Sequence, residues 1–473
     1  MRKITFLFLL TGLFTYGQNF TDVTGSLPQL SYSLSAWGDY DGDGDLDLFY
    51  TGYLNANNPG GGGLFENDNG SFNLVANSGL PQYDYGEADW ADFDGDGDLD
   101  LVIMGYDETL GTGTALTDIY LNNNDGTFTA ANSGIMGVYM GDVHFVDVNN
   151  DNQPDVAITG METTGWTNIL KIYINNGDGT VTDSSNTFPS LNIGQIEFAD
   201  FDNDGDQDLV VNGWENTANT PYTKIWVNDG AGNFTESTVN LAQLWLGDLG
   251  WSDVDNDGDM DLLITGTAAA NSEMHLYIND GNSNFTEDSH FVFTPVHQSE
   301  VVFADFDNDG DEDLFLMGRH YSAVDEFYAS YLYMNDNGVF SENTNFAFVA
   351  AIYGDADAGD YDNNGYPDLF ICGNDINNFG VGKIYQNESA NIINSNGSNE
   401  FNIYPNPANE WLEIKSENQS QFSILISDIT GQIVYQNEAQ SLAHIDLQNF
   451  MPGIYLVEII ENKQSFTRKI IIK

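Results

Sequence analysis

The sequence predicts an all-β protein, a seven-bladed β-propeller followed by a small C-terminal β-sandwich. Three observations carry that prediction. An aspartate-rich run such as WGDYDGDGDLDL, residues 37–48, occurs seven times, with first aspartates 52–55 residues apart. Each run sits among short apolar and aromatic segments that end in glycine or asparagine. Beyond residue 401 the acidic runs stop and short alternating strands take over. A period that regular means a stack or ring of one supersecondary unit.

Composition sets limits on function. The 473 residues include 73 Asp+Glu against 11 Lys+Arg, a formal net charge of −62. No nucleic-acid partner is expected, because phosphates are neutralised by basic side chains. Acidity of this degree can leave a chain disordered, but 41% hydrophobic and 13% aromatic residues supply packed cores. Cys372 is the one cysteine, so no intrachain disulfide can staple the chain. Residues 1–17 begin with Arg2 and Lys3, run apolar from Ile4 to Phe14 and close on Gly17. That is the layout of a secretory signal peptide, too short to cross a bilayer comfortably; the alternative is a buried N-terminal strand. No other apolar run is long enough to span, so the mature chain is expected to lack a transmembrane segment.

Each acidic run reads Asp-x-Asp/Asn-x-Asp/Asn-Gly-x-x-Asp. Positions 1, 3, 5 and 9 offer side-chain oxygens and position 7 a backbone carbonyl. The candidate metal ligands are Asp39, Asp41, Asp43, Asp45 and Asp47 in the first loop and Asp92, Asp94, Asp96, Asp98 and Asp100 in the second. The third has Asp147, Asn149, Asp151, Gln153 and Asp155; the fourth, Asp200, Asp202, Asp204, Asp206 and Asp208. The fifth has Asp253, Asp255, Asp257, Asp259 and Asp261; the sixth, Asp305, Asp307, Asp309, Asp311 and Asp313. The seventh has Asp360, Asp362, Asn364, Tyr366 and Asp368. Hard oxygen donors at this density suit calcium, which takes 6–8 of them, and up to seven ions are expected. Position 6 must turn sharply and is glycine in six loops, with Asn152 in the third. An EF-hand is excluded, because position 12 is Tyr50, Ile103, Ile158, Val211, Ile264, Leu316 or Ile371 where that motif needs glutamate.

The remaining elements follow in order. A short strand enters each loop and carries Trp37, Trp90, Phe145, Phe198, Trp251, Phe303 or Ala358 two residues before the first aspartate. A second, apolar strand leaves the loop and ends on Gly52, Gly105, Gly160, Gly213, Gly266, Gly318 or Gly373. A third strand carries aromatic-x-Asn, as in Phe65/Asn67 and Tyr385/Asn387, and a Gly/Asn turn leads to a fourth. Four strands per roughly fifty residues is the arithmetic of a propeller blade. The seventh unit stops after its third strand. The missing piece is NFTDVT, Asn19 to Thr24, which matches NFTEST at Asn233 to Thr238. The N-terminal strand is therefore expected to complete the seventh blade and remove both open edges.

The loops and blades resemble FG-GAP-like (VCBS-type) repeats, related to the calcium-bearing propeller of integrin α chains, over 18–390. The combined Phe-Gly and Gly-Ala-Pro signature of integrins is absent, so the resemblance does not imply integrin-type ligand binding. Asn149 and Asn364 replace aspartate, and weaker calcium binding is expected in those loops. Residues 391–400, NIINSNGSNE, read as a linker. In 401–473, the segments IYPNPANEWLEI, DITGQIVYQ, IDLQNFMPGIYLVEI and KIIIK resemble the C-terminal sorting domain of the type IX secretion system of Bacteroidetes. An unrelated adhesive sandwich is the alternative. The resemblance implies recognition by that machinery and export through the periplasm, with the product secreted or held at the outer-membrane cell surface. In that family the tail is often removed.

Two functions from different classes remain. A binding or adhesion module, expected as a monomer, would use the loops opposite the calcium to hold an extracellular glycan or protein. Those loops vary in sequence, and Trp166, Trp214, Trp245 and Tyr353 are the candidate ligand contacts. The bland alternative is that such aromatics pack between blades. The second function is a calcium-dependent polysaccharide lyase or hydrolase. Glu87, Asp142, Asp248, Glu300 and Asp355, with Asp89, His144, Glu197 and Asp357, are placed on inner strands near a central channel. Against it, the propeller has only Lys171, Lys224, Arg319 and Lys383 to neutralise an acidic polymer, and no nucleophile motif.

Overall fold

The computed structural model describes residues 19–388, apart from 56–57, 109–112, 269–270 and 289–292. Of the tail it describes 401–404, 411–416, 421–428, 433–447, 450, 453–461 and 464–472. The leader expected over 1–17 and the linker expected over 391–400 lie outside the described residues. The chain forms two compact units, one of them Gln18–Ser389.

That unit consists of seven four-stranded antiparallel sheets. Blade one is built from Ser31–Gly38, Asp47–Asn55, Asn58–Asp68 and Ser71–Leu74, in chain order from the inside out. Five further blades repeat the order, starting at Asp84, Val143, Leu191, Leu249 and His297. The seventh holds Ala356–Gly359, Asp368–Asn374 and Gly380–Glu388, and takes its fourth strand, Asn19–Asp22, from the other end of the unit. Asn19 pairs with Glu388 and Asp22 with Tyr385, so the expected clasp is formed.

The second strand of each blade begins with six buried residues in succession, DLFYTG in the first and DLFICG in the last. It is covered on both faces because the cores lie between blades. Leu34, Phe49 and Leu64 of blade one pack with Leu101 and Ile103 of blade two. The same arrangement runs round the ring until Phe370 and Ile384 of blade seven meet Leu48 and Tyr50 of blade one. Cys372 is buried in that last core as a free thiol.

The asparagine of aromatic-x-Asn locks each interface. Its side-chain amide donates to a backbone carbonyl of the preceding blade, Asn122 to Tyr40, Asn228 to Val148 and Asn335 to Val254, at 2.8–2.9 Å. Asn67 donates to Tyr361 at 2.8 Å and carries the lock across the clasped blade. In the C-terminal unit, Phe401–Tyr404, Trp411–Ser416 and Leu442–Asp446 form one leaf. The other is Ile433–Gln440, Gln421–Asp428, Gly453–Glu461 and Gln464–Ile472, and the Gln440–Leu442 pair joins the two into one seven-stranded sheet that folds over itself. Leu412, Ile414 and Ile445 of the first share a core with Ile424, Val457 and Ile459 of the second, which is the expected small sandwich.

Candidate functional site

Because neighbouring strands are antiparallel, the aspartate loops and the turns between strands three and four lie at one end of the ring. The two other sets of connections lie at the opposite end. Each aspartate loop is shaped from within. The position-1 carboxylate accepts from the backbone N–H of position 6 in all seven loops, at 2.7–3.1 Å. Position 6 has a φ of 63–102°, the left-handed region that glycine, and here Asn152, adopts at least cost. The position-9 carboxylate is buried and accepts from the backbone N–H of the interface asparagine, as Asp47 does from Asn67 at 2.8 Å and Asp368 from Asn387 at 2.6 Å. The loop is thereby fixed to the third strand of its own blade.

The donor set fits a hard cation. Carboxylates of Asp39, Asp41 and Asp43 lie within 4.8 Å of one another, as do those of Asp92, Asp94 and Asp96. In loops four to six the converging trio is positions 1, 3 and 9: Asp200, Asp202 and Asp208; Asp253, Asp255 and Asp261; Asp305, Asp307 and Asp313. Oxygens of Asp39, Asp45, Asp92, Asp98, Asp202, Asp208, Asp255 and Asp307 are shielded from solvent and accept no hydrogen bond. Burial pushes the carboxyls of Asp47, Asp208 and Asp261 up to about 7, and those of Asp313 and Asp368 up to about 8. Buried charge without a counter-charge is strongly unfavourable, and a divalent ion at the loop centre removes that penalty.

The inner strands bring the second candidate set together. Glu87, Asp89, Asp142, His144, Glu197, Asp248, Glu300, Asp355 and Asp357 all line one central cavity of about 620 Å³. Burial and their mutual repulsion push Glu87, Asp248, Glu300 and Asp357 well above the usual carboxylate range. Glu197 rises to about 7 and Asp355 to about 6, burial again being the largest cause. For His144 burial works against the charge, but the carboxylates of Asp142, with an oxygen 3.2 Å from Nε2, Glu197 and Asp89 together push the imidazole well above its ordinary range. Part of this set is tied into the fold: Asp355 and Asp357 accept from the Ser35 hydroxyl, and Asp142 from the Ile196 amide.

At the end opposite the aspartate loops, the aromatics form groups. Trp214 and Trp245 meet edge to face at 4.9 Å. Tyr32 stacks on Tyr85 at 4.1 Å and lies 5.8 Å from Tyr353, whose side chain is 47% exposed. Trp166 is 68% exposed and has no ring partner among the described residues. Seven residues at this end, one per blade, have φ of 47–57°: Tyr32, Tyr85, Met140, Ile193, Leu246, Gln298 and Tyr353. For bulky side chains, Ile193 above all, that conformation is strained by about 1–3 kcal/mol. Strand one breaks register there, between Ser31/Leu34, Asp84/Glu87, Asn192/Gln195 and His297/Glu300. In four blades a Cβ at the next residue, Gly86, Gly141, Gly247 or Gly354, would lie 2.0–2.4 Å from a carbonyl of strand two.

This ring was only half visible in the sequence. Tyr139, Trp245 and His297 look equivalent to Tyr32, but they pair with strand two, and Met140, Leu246 and Gln298 hold the left-handed position. The available signal is a constant one: each strained residue lies seven positions before the first loop aspartate and precedes Gly or Ser.

Comparison with known proteins agrees with this architecture. The FG-GAP-like repeat profile matches residues 39–103, 147–211 and 253–316, each match spanning two aspartate loops. The secretion system C-terminal sorting domain profile matches 402–473. No curated protein matches the chain in sequence. Among solved structures, the V. cholerae biofilm matrix protein Bap1 is 16% identical over 70% of this chain, with a TM-score of 0.31. The chain spans 61% of that protein's length. A fructan 1-exohydrolase IIa from Cichorium intybus in complex with 1-kestose is 9% identical, covering 79% of this chain and 87% of that one, with a TM-score of 0.28. Neither likeness is close enough to bear on activity. Among the described residues no helix is long and apolar enough to cross a membrane.

Proposed function

We propose that this chain, which carries FG-GAP-like repeats in a seven-bladed propeller and ends in a type IX secretion sorting domain, is an extracellular binding module stabilised by calcium. The sorting domain directs it to the cell surface or the extracellular space. Residues 1–17 would serve as its leader, and the machinery would read the tail. Positions 1, 3, 5 and 9 of each aspartate loop would hold calcium by side chains and position 7 by its carbonyl. The ion supplies charge compensation and ties strand one to strand two, a cross-link that a chain with one cysteine otherwise lacks.

One observation carries the binding role: aromatic side chains, exposed or half-buried, gather at the end away from the aspartate loops, with Tyr32, Tyr85 and Tyr353 held there on strained backbone. Aromatic faces on a rigid scaffold suit a glycan or an extracellular protein. A glycan array run in calcium and again in EGTA tests it. Alanine at Trp166, Trp214 or Trp245 should then weaken binding by about 1–2 kcal/mol each. The cavity carboxylates favour a second reading, a polysaccharide-degrading enzyme with an acid–base pair among them. Depolymerisation of a polysaccharide by the purified chain, lost in Glu300→Gln with the fold intact, would replace the binder by the enzyme.

A further inference from the structure

The fourth position of the aspartate loops supplies no expected ligand, yet it is where neighbouring loops touch. The Asn150 amide donates to Asp206 Oδ1 at 2.5 Å, Asn203 to Asp259 Oδ1 at 2.7 Å and Asn256 to Asp311 Oδ1 at 2.6 Å. In each pair the acceptor is position 7 of the next loop round the ring. Asn308 and Asn363 reach the neighbouring position 6, donating to the carbonyls of Gly365 and Gly44. Gly42 and Gly95 hold the fourth position in loops one and two and cannot donate. Six loops are thus strung together by fourth-position amides, from three through seven to one. Loop two has no such link to either neighbour, its ties running through the interface asparagines Asn122 and Asn175.

The loops also differ in where the position-5 N–H goes. In loops three and seven, which carry Asn150 and Asn363, it is shared between positions 1 and 3, at 2.8–3.2 Å. In loops four to six, also with asparagine at the fourth position, it is donated to position 1, at 3.0 Å from Asp204, Asp257 and Asp309. An oxygen of Asp202, Asp255 or Asp307 is then left buried without a partner. With glycine there, the position-5 N–H is donated to position 3, at 3.2 Å from Asp43 and Asp96, and oxygens at positions 1 and 7 are left over instead.

We infer that the fourth-position asparagines couple adjacent calcium sites, so that calcium fills the six strung loops cooperatively and loop two independently. The inference rests on the calcium reading of the loops. A bound ion fixes positions 3 and 5 and hence the residue between them. The asparagine so held immobilises the next loop at position 6 or 7, beside the carbonyl that loop offers its own ion. Ordering done by one ion therefore lowers the ordering cost for the next, which is positive coupling.

The test is isothermal titration of the calcium-stripped full-length chain with calcium chloride. The wild type should give a Hill slope above one. In the double variant Asn203→Gly with Asn256→Gly, glycine keeps the φ of 60° and 58° and removes the bridging amides. Its stoichiometry should stay the same, its slope should fall toward one, and the unlinked sites should weaken about threefold to tenfold. Gly42→Asn is the reverse case. A Cβ there meets nothing within 4 Å, and the added amide should draw loop two into the cooperative phase. Should the double variant fail to fold by circular dichroism, Gly42→Asn decides. Calcium uptake with a slope of one in the wild type, or a slope that neither change moves, overturns the coupling and leaves the calcium reading intact. No calcium uptake overturns both.

Discussion

Replacing Asn228 by alanine tests whether the blades are held by their interface asparagines or by apolar packing alone. The buried Asn228 amide donates to the Val148 carbonyl of the preceding blade at 2.8 Å and to the Gln207 carbonyl of its own loop at 3.1 Å. Alanine leaves both carbonyls without that donor and opens a void. An orphaned buried acceptor costs about 1–3 kcal/mol, and one water entering the void recovers part of the loss. The expected destabilisation is about 2–4 kcal/mol. Unfolding entropy of roughly 2.1 cal/mol/K per residue converts this, for a unit of the size of Gln18–Ser389, into a Tm lower by about 3–5 °C. Asn228→Asp should be worse, since it turns a donor into a charged acceptor facing a carbonyl. Asn176→Ala, on an exposed turn where the amide donates to Thr180 Oγ1 and accepts from the Thr182 hydroxyl, is the control and should change stability by less than about 0.5 kcal/mol. Thermal and urea melts of the three variants, all in saturating calcium, give the comparison. If Asn228→Ala melts with Asn176→Ala, the lock contributes nothing and the ring rests on its apolar cores.

Three other outcomes are expected. At free calcium about tenfold above the dissociation constant each ion contributes roughly 1.4 kcal/mol, so loss of seven ions to excess EGTA, about 10 kcal/mol, should lower the Tm by roughly 12 °C on the same entropy, and Asp202→Ala should weaken calcium uptake more than Asn149→Ala; an unchanged melt in EGTA would exclude a structural role for the ion. Deleting residues 18–25 should uncover the third strand of blade seven and produce dimers or aggregates in light scattering, whereas a monomer with an unchanged melt would show that Asn19–Asp22 closes nothing. Stability in saturating calcium should rise as pH falls from 8 to 5.5. Glu197 is held at about 7 in the folded chain, above its unfolded value, so the fold binds its proton more tightly and loses stability as pH climbs through that window, by an amount of order 2 kcal/mol. Glu197→Gln should flatten the slope, and a slope identical to wild type would remove Glu197 as its source.

Much of this architecture is legible in the sequence because the repeat is written in side chains that work within one unit. A loop glycine, a nine-residue carboxylate pattern and an apolar second strand each report on their own blade. What crosses between blades is harder to read. Asn228 stands out only as part of a strand signature, since the carbonyl it meets lies 80 positions earlier. Asn203 and Gly42 look like interchangeable turn residues; only the Asp259 carboxylate, 56 positions on from Asn203, distinguishes them. The strained ring is hidden for another reason. It sits at a break in the register of strand one, and the residue that bears the strain is free to be tyrosine, methionine or isoleucine.

The pairing of Asn19 with Glu388 also sets an order in time. Each of the first six blades pairs strands that are neighbours in sequence, so its sheet can form as soon as its own residues are available. The seventh sheet cannot be finished until nearly the whole unit exists, because its first-made strand must wait for its last-made partner. Loop closure over that distance makes this the slow step of folding. Protease resistance at blade seven should therefore develop later than at any other blade during refolding, and its half-time measures how long the seam between the two ends of the unit stays open.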